Sequence, residues 1–273
     1  MPTKYAVRTS SLSKRWRYNW TTVTNLDFDD IHSFQGLDCF SEFVNRVLKL
    51  LKTSQIKLLR LRFLEMWAQK SCVSNLIDKA VVLNVCEIDV QAYYFDFPSR
   101  MFTCKTLTKL RIIESSQSMK VLTFPTSVML PCLKTLEICV FEKPYLSAFR
   151  LINGSPILES LSLEVKWRSE EEDYNFNIPT LKRFELRTKK VASIINKVVL
   201  NLSSLEYLFV GGRLCSLFVI EDLSSLVEAN ISFNDIGFNH LYAELLQGLI
   251  SGAKSSLFLS TSKFDVSNVV KLF

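Results

Sequence analysis

Between Leu130 and Glu142 the chain reads LPCLKTLEICVFE, and Leu133, Leu136 and Ile138 within it set the terms for the rest. Residues two apart on a strand point to the same side, so Leu136 and Ile138 share one face. Leu133 lies just ahead, where a chain turning into a strand also buries a side chain. A single strand of this kind cannot bury its apolar face unless copies stack on both sides of it. The copies are present. Equivalent positions recur as Leu58/Leu61/Phe63, Val85/Ile88/Val90, Leu107/Leu110/Ile112, Leu158/Leu161/Leu163, Leu181/Phe184/Leu186, Leu205/Leu208/Val210 and Leu226/Ala229/Ile231. Their first members, with Leu133, fall at 58, 85, 107, 133, 158, 181, 205 and 226, successive steps of 21 to 27 residues.

That period lies within the roughly 20–29 residues of leucine-rich repeats. One such triple arises by chance in many apolar sequences, whereas eight in register outweigh the alternative of an ordinary α/β domain. The expected fold is α/β: a leucine-rich-repeat solenoid with a curved parallel sheet and short helices or loops on its convex side. With 48% of its residues apolar, the chain can fill a long core. Its seven glycines include no G-x-G-x-x-G or G-x-x-x-x-G-K, which argues against a phosphate-cradling loop.

Helical patterns fall between the repeats. Residues 38–53 place Phe40, Phe43, Val44, Val47, Leu48 and Leu51 at three- and four-residue steps behind a candidate cap, Asp38. Ser71–Lys79 and Leu241–Ile250 read as helices, and Tyr145–Leu151 as a brief helix or loop. The acidic run Glu170–Asp173 reads as a solvated loop tip, and Leu257 and Leu259 as part of a further strand.

The net charge of +6 is mostly N-terminal: Lys4, Arg8, Lys14, Arg15 and Arg17 precede the first acid, Asp27. The remaining 28 basic and 27 acidic residues nearly cancel. A domain-wide nucleic-acid footprint needs a basic stripe along the body, and none is visible. Seven cysteines, an odd number without C-x-x-C, and no apolar secretory segment point to free thiols in a reducing compartment, cytoplasmic or nuclear rather than secreted. No run of about 18 apolar residues is present to form a transmembrane helix. The acid-free, Arg- and Ser-rich start also suits a mitochondrial transit peptide.

The same N-terminal residues carry a resemblance. Pro2–Ser10 (PTKYAVRTS), Leu12–Tyr18 (LSKRWRY) and Trp20 resemble the closing part of an F-box in the large plant F-box/LRR-repeat family. Thr21–Asp30 (TTVTNLDFDD) is similar to the segment that follows the box there. Further echoes are Phe43–Leu48 (FVNRVL), Cys104–Leu110 (CKTLTKL), Leu130–Leu136 (LPCLKTL) and Gly154–Leu163 (GSPILESLSL), so the resemblance runs through nearly the whole length. The acidic, Leu- and Pro-rich front of the box has no counterpart in this sequence. The expected division is residues 1–22 as the last third of an F-box, 23–53 as linker and capping helix, 54–260 as about eight repeats, and 261–273 as a truncated C-terminal segment.

The resemblance implies a non-catalytic substrate-recognition subunit of an SCF-type ubiquitin ligase. Its box would bind a Skp-type adaptor and, through it, a cullin-based core, while the repeats hold a target protein. Leu12, Arg15, Trp16 and Trp20 would face the adaptor; with the front of the box absent, weak adaptor binding or none is expected. The alternatives are a repeat scaffold with no ligase connection and a non-functional fragment. The residues themselves carry no catalytic or metal constellation: the only two histidines, His32 and His240, lack Cys or carboxylate partners at ligand spacing, and no cofactor is implied. The Arg/aromatic run Lys14–Trp20 is a weaker candidate for stacking on nucleic-acid bases.

On the outward strand face the triples predict alternating-sign ladders, Arg62/Asp89/Arg111/Glu137 and Arg60/Glu87/Lys109, in the first repeats. Farther along, Arg183 and Arg187 flank Glu185, and the next strand presents Tyr207 and Phe209, with Gly211 expected to leave room beside them. Arginine and aromatic side chains dominate binding energy at interfaces, so Arg183, Glu185, Arg187, Tyr207 and Phe209 are the candidate target-binding residues.

Overall fold

The structure, a computed structural model, describes residues 1–29, 37–63, 70–92, 96–114, 125–141, 145–167, 173–190, 196–214, 216–235, 239–253 and 257–261. The chain forms two compact units: Met1–Cys139 with Lys143–Ile157, and Val140–Glu142 with Leu158–Phe273. Each is a stack of parallel strands, a leucine-rich-repeat solenoid.

The first unit stacks five parallel strands: β1 (Asn25–Asp29), β2 (Leu58–Phe63), β3 (Glu87–Ala92), β4 (Lys109–Glu114) and β5 (Thr135–Phe141). Val85/Ile88/Val90, Leu107/Leu110/Ile112 and Leu133/Leu136/Ile138 are buried as their spacing requires. Each fully buried Leu or Ile contributes about 1.5–3 kcal/mol. The first triple needs a correction. Ile56, Leu59 and Leu61 fill the seam, because Leu59, not Leu61, pairs with Ile88. The segment IKLLRLRF fits L-x-x-L-x-L in two registers, and only stacking decides between them. One further strand, β1, buries Leu26 and Phe28 ahead of the first predicted repeat.

Helices return the chain in this unit: α2 (Leu37–Leu50), α3 (Lys70–Val82) and α4 (Tyr145–Asn153), with a 3-10 turn at Ser99–Thr103. α2 buries Phe40, Val44 and Val47. α3 ends in a left-handed residue, Asn84 (φ 51°). The Val85 N–H donates to Ala80 O and the Asn84 N–H to Val81 O, both at 3.1 Å. This Schellman pattern satisfies two terminal carbonyls and turns the chain into β3. At the sheet's outer edge, α1 (Thr3–Arg8) lies against β1, and the Asp27 N–H donates to the buried Thr3 Oγ1 at 2.8 Å. A strand edge that would otherwise offer free N–H groups is covered there.

The second unit has two parallel sheets. The repeat strands β6 (Ser160–Trp167), β8 (Arg183–Lys190), β10 (Tyr207–Arg213), β12 (Glu228–Asp235) and β13 (Phe258–Thr261) form one. The expected helices or loops between them are instead strands: β7 (Asp173–Asn177), β9 (Asn196–Asn201) and β11 (Ser216–Asp222) pair in the order β7–β9–β11. Phe176 of β7 meets Phe184 of β8 at 4.9 Å between ring centroids, inside the core between the sheets. α5 (Asn239–Gly252) packs on β11, and its Gly248 and Gly252 leave space that Ile220 fills. At Gly212 the register of β10 against β12 shifts, with φ +98° and the Thr188 oxygen 2.2 Å from where a Cβ would stand; only glycine fits.

Glu170–Glu172 of the acidic run, His32 and the apolar end Val269–Phe273 lie outside the described residues.

Candidate functional site

The outward face of the first unit carries one continuous ion ladder. Asp27, Arg60, Asp89, Arg111 and Glu137 are successive register partners. Arg60 reaches Asp27 at 3.8 Å and Asp89 at 3.0 Å, and Arg111 reaches Asp89 at 3.0 Å and Glu137 at 2.9 Å. Arg60 thus takes the place expected of Arg62, and Glu87 follows Leu58 rather than Arg60, because the first triple stacks two residues earlier. Burial opposes the charge on Arg111, but the hydrogen bonds it donates to Glu137 and Asp89, with their charges, outweigh it and raise its pKa. Arg62 Nε is covered and finds no acceptor among the described residues.

The second unit presents a different face. Arg183 lies opposite Tyr207, Glu185 opposite Phe209, and Arg187 opposite Gly211. The Arg183 guanidinium stacks 3.8 Å from the Tyr207 ring centroid, and that of Arg187 sits 4.2 Å from the Phe209 centroid. Glu185 ties the two together, 2.8 Å from Arg183 and 3.4 Å from Arg187. Burial again works against the Arg183 charge, and the Glu185 hydrogen bond and charge, with Tyr207, override it to raise the pKa. All five candidate target-binding residues therefore meet in one patch. Tyr207 and Phe209 stay half-exposed, held by arginines rather than covered by chain. The notch expected beside Gly211 is filled: a Cβ there would stand 2.7 Å from the Phe209 ring, which leans across the glycine.

At the N-terminus the candidate adaptor residues divide. Leu12 and Trp16 are 70% and 46% exposed, and Arg15 is exposed, in the turns that follow α1. Trp20, in the 3-10 turn Asn19–Thr22, is buried. Tyr5 and Tyr18 add exposed rings, and Arg17 and Lys52 lie within 5.8 Å and 5.7 Å of the Tyr18 centroid.

Among the described residues no three His, Cys, Asp or Glu side chains gather as metal ligands, and no helix is long and apolar enough to cross a membrane. Cys86, Cys104, Cys132 and Cys139 are free thiols. Sequence reasoning set Glu228 in the outward row beside Tyr207 but left it out of the candidate site, and it missed Phe258; both extend the patch along that row. Their signal was the odd-even alternation of β12 and β13.

Stacked parallel strands with buried L-x-x-L-x-L triples define a leucine-rich-repeat protein. Curated relatives agree. The chain is 32% identical over 256 residues to F-box/LRR-repeat protein At4g14096 of Arabidopsis thaliana, covering 89% of this chain and 53% of that protein. It is 30% identical over 273 residues to F-box/FBD/LRR-repeat protein At4g26340, covering 96% and 62%, and 28% identical over 250 residues to F-box/LRR-repeat protein 13, covering 88% and 53%, both from the same plant. Over most of its length the chain is similar to plant F-box/LRR-repeat proteins. It spans about half the length of the curated relatives it matches. No family profile matches it, and no solved structure does.

Proposed function

We propose that the chain is a non-catalytic substrate-recognition component of an SCF-type ubiquitin ligase, and that its target docks on the second unit across Arg183, Glu185, Arg187, Tyr207 and Phe209. One observation carries the reading of the docking site: two aromatic rings stand half-exposed on the open face of a sheet, each backed by an arginine. An exposed aromatic pair on a folded surface is an interaction feature, and pre-set guanidinium stacks lower the ordering cost of binding. The ligase connection rests on the family names of the relatives.

A Tyr207→Ala/Phe209→Ala double variant tests the docking patch. Target capture from plant extract, quantified against the parent, should fall about tenfold or more, the scale of one or two hot-spot side chains. The variant should melt within a few degrees of the parent. Unchanged capture, or an unfolded variant, removes the patch as the docking site.

The adaptor surface is a second element of the same reading. Leu12, Arg15 and Trp16 would meet a Skp-type adaptor, whereas Trp20 is buried and would not. A binding measurement between residues 1–273 and a plant Skp-type protein decides how much this surface achieves by itself. Weak or absent binding is expected, and sub-micromolar affinity would show that these residues suffice. A scaffold with no ligase connection would bind a target and no adaptor under any extension of the N-terminal side.

A further inference from the structure

Across β10, β12 and β13 one row of the outward face reads Tyr207, Glu228, Phe258 in register. Parallel neighbours are spaced about 4.8 Å apart, so the two ring-bearing strands stand ~10 Å apart with a carboxylate between them. That gap is about the width of one planar or compact cation in contact with a ring on each side. Phe258 is 67% exposed, which is unusual for a phenylalanine on a strand. Tyr207 carries Arg183 on its β8 side, so its other side faces Glu228.

The carboxylates on this sheet face differ in one respect. Glu185 is held by two arginines and Glu164 is paired with Lys189. The Glu228 carboxylate has no ion pair or hydrogen bond among the described residues. A half-exposed, unpaired carboxylate between two aromatic rings favours a positive group twice over, through its own charge and through the negative faces of the rings.

We propose that Glu228, flanked by Tyr207 and Phe258, is a site for one basic side chain, an arginine or lysine, of a bound target protein. The proposal rests on the reading that targets dock on this face of the second unit. It assigns the charge of the partner at one place: on the Arg183/Glu185/Arg187 side two positive charges share one carboxylate, whereas Glu228 has no positive partner among the described residues. The chain's excess of positive charge lies in its N-terminal residues, so local capture at Glu228 is separated from non-specific attraction by the E228Q variant rather than by net charge.

The test uses the full chain and fluorescein-labelled Gly/Ser peptides that differ at two positions, both arginine, both norleucine or both glutamate. Anisotropy should show the arginine peptide binding, the norleucine peptide binding about tenfold more weakly, and the glutamate peptide not binding. E228Q and F258A should each weaken the arginine peptide about tenfold, and F258W should restore binding. E228Q should melt within two or three degrees of the parent. Equal binding of the arginine peptide by parent and E228Q, equal binding of arginine and norleucine peptides, or no binding of the arginine peptide by the parent would overturn the proposal. A melting loss of several degrees in E228Q would overturn it too, since Glu228 would then serve an internal partner. Loss of target capture by Tyr207→Ala/Phe209→Ala with none by E228Q would remove this site and leave the wider docking patch standing.

Discussion

The two units share one way of burying apolar surface and differ in nearly everything built around it. In the first, helices carry the chain back from strand to strand and the outward face is closed by five charges in alternation. In the second, strands β7, β9 and β11 carry it back and the outward face is lined by arginines stacked on rings. The seam is set by stacking alone, so it tolerates either return path. The outward face has no such constraint. Where each charge meets its opposite on both sides, little attraction is left for a partner; where aromatics stand between charges, apolar area is left to cover.

The sharpest way to break the comparison is through what the units share. Leu136→Asp puts a carboxylate into a fully buried seam position and should cost about 4 kcal/mol or more, as burying an unpaired charge does. Glu137→Lys, one residue on and pointing outward, should cost about 1 kcal/mol by losing Arg111 as partner and adding a like charge. Comparable melting losses for the two would refute the facing of β5. Gly212→Ala probes the second unit's backbone, where the new Cβ would collide with the Thr188 oxygen at φ +98°. A loss of about 2–3 kcal/mol is expected from the clash and the left-handed strain; a neutral substitution in denaturant melts would show that the strand bends elsewhere.

Charge deletions separate the faces directly. The Asp89 side chain is only 13% exposed between Arg60 and Arg111. Asp89→Asn leaves both guanidiniums short of a carboxylate. A fully buried pair would cost 3–5 kcal/mol on losing a partner, and the partial exposure of the two arginines lowers this to about 2 kcal/mol. The loss should shrink at high salt, which screens the parent's ladder. A melt showing under ~0.5 kcal/mol would mean that the ladder adds nothing to the stacked strands.

The seam was legible because its period survives substitution: seven of the eight triples stack as read, with Val, Ile and Ala standing for Leu. The exception, IKLLRLRF, offers two registers two residues apart, and a single chain segment cannot choose between them without its neighbours. The neighbours choose, burying Ile56 and setting Arg60 between Asp27 and Asp89. The return strands were missed for a different reason. Asp173–Asn177 alternates apolar and polar residues, burying Tyr174 and Phe176, and Ser216–Asp222 is rich in β-branched and aromatic residues. Both are strand signals, but the solenoid period draws attention to the L-x-x-L-x-L segments and away from what joins them. The grouping of Arg183, Glu185, Arg187, Tyr207 and Phe209 followed from register alone. That the arginines lie over the rings did not, because side-chain rotamers are chosen across strands and not along them.

The smallest expected effect is the most informative about the second face. Glu185 bridges Arg183 and Arg187, whose side chains are both 48% exposed. Glu185→Gln should therefore cost under about 1 kcal/mol in a melt, since solvent screens what the carboxylate held. Its consequence lies in geometry. Without Glu185 each guanidinium is retained only by its ring, an interaction of about 0.5–1 kcal/mol at an exposed site, and the stacks on Tyr207 and Phe209 loosen. If the patch binds because it is pre-set, target capture falls several-fold while stability barely moves, and the deficit appears mainly as slower association. If capture is unchanged, the rings bind whether or not the arginines are fixed, and Glu185 belongs to the same self-neutralising order as the ladder of the first unit. The ratio of binding loss to stability loss, compared between Glu185→Gln and Asp89→Asn, then ranks the two faces on one scale: large for a docking surface, near zero for a closed one.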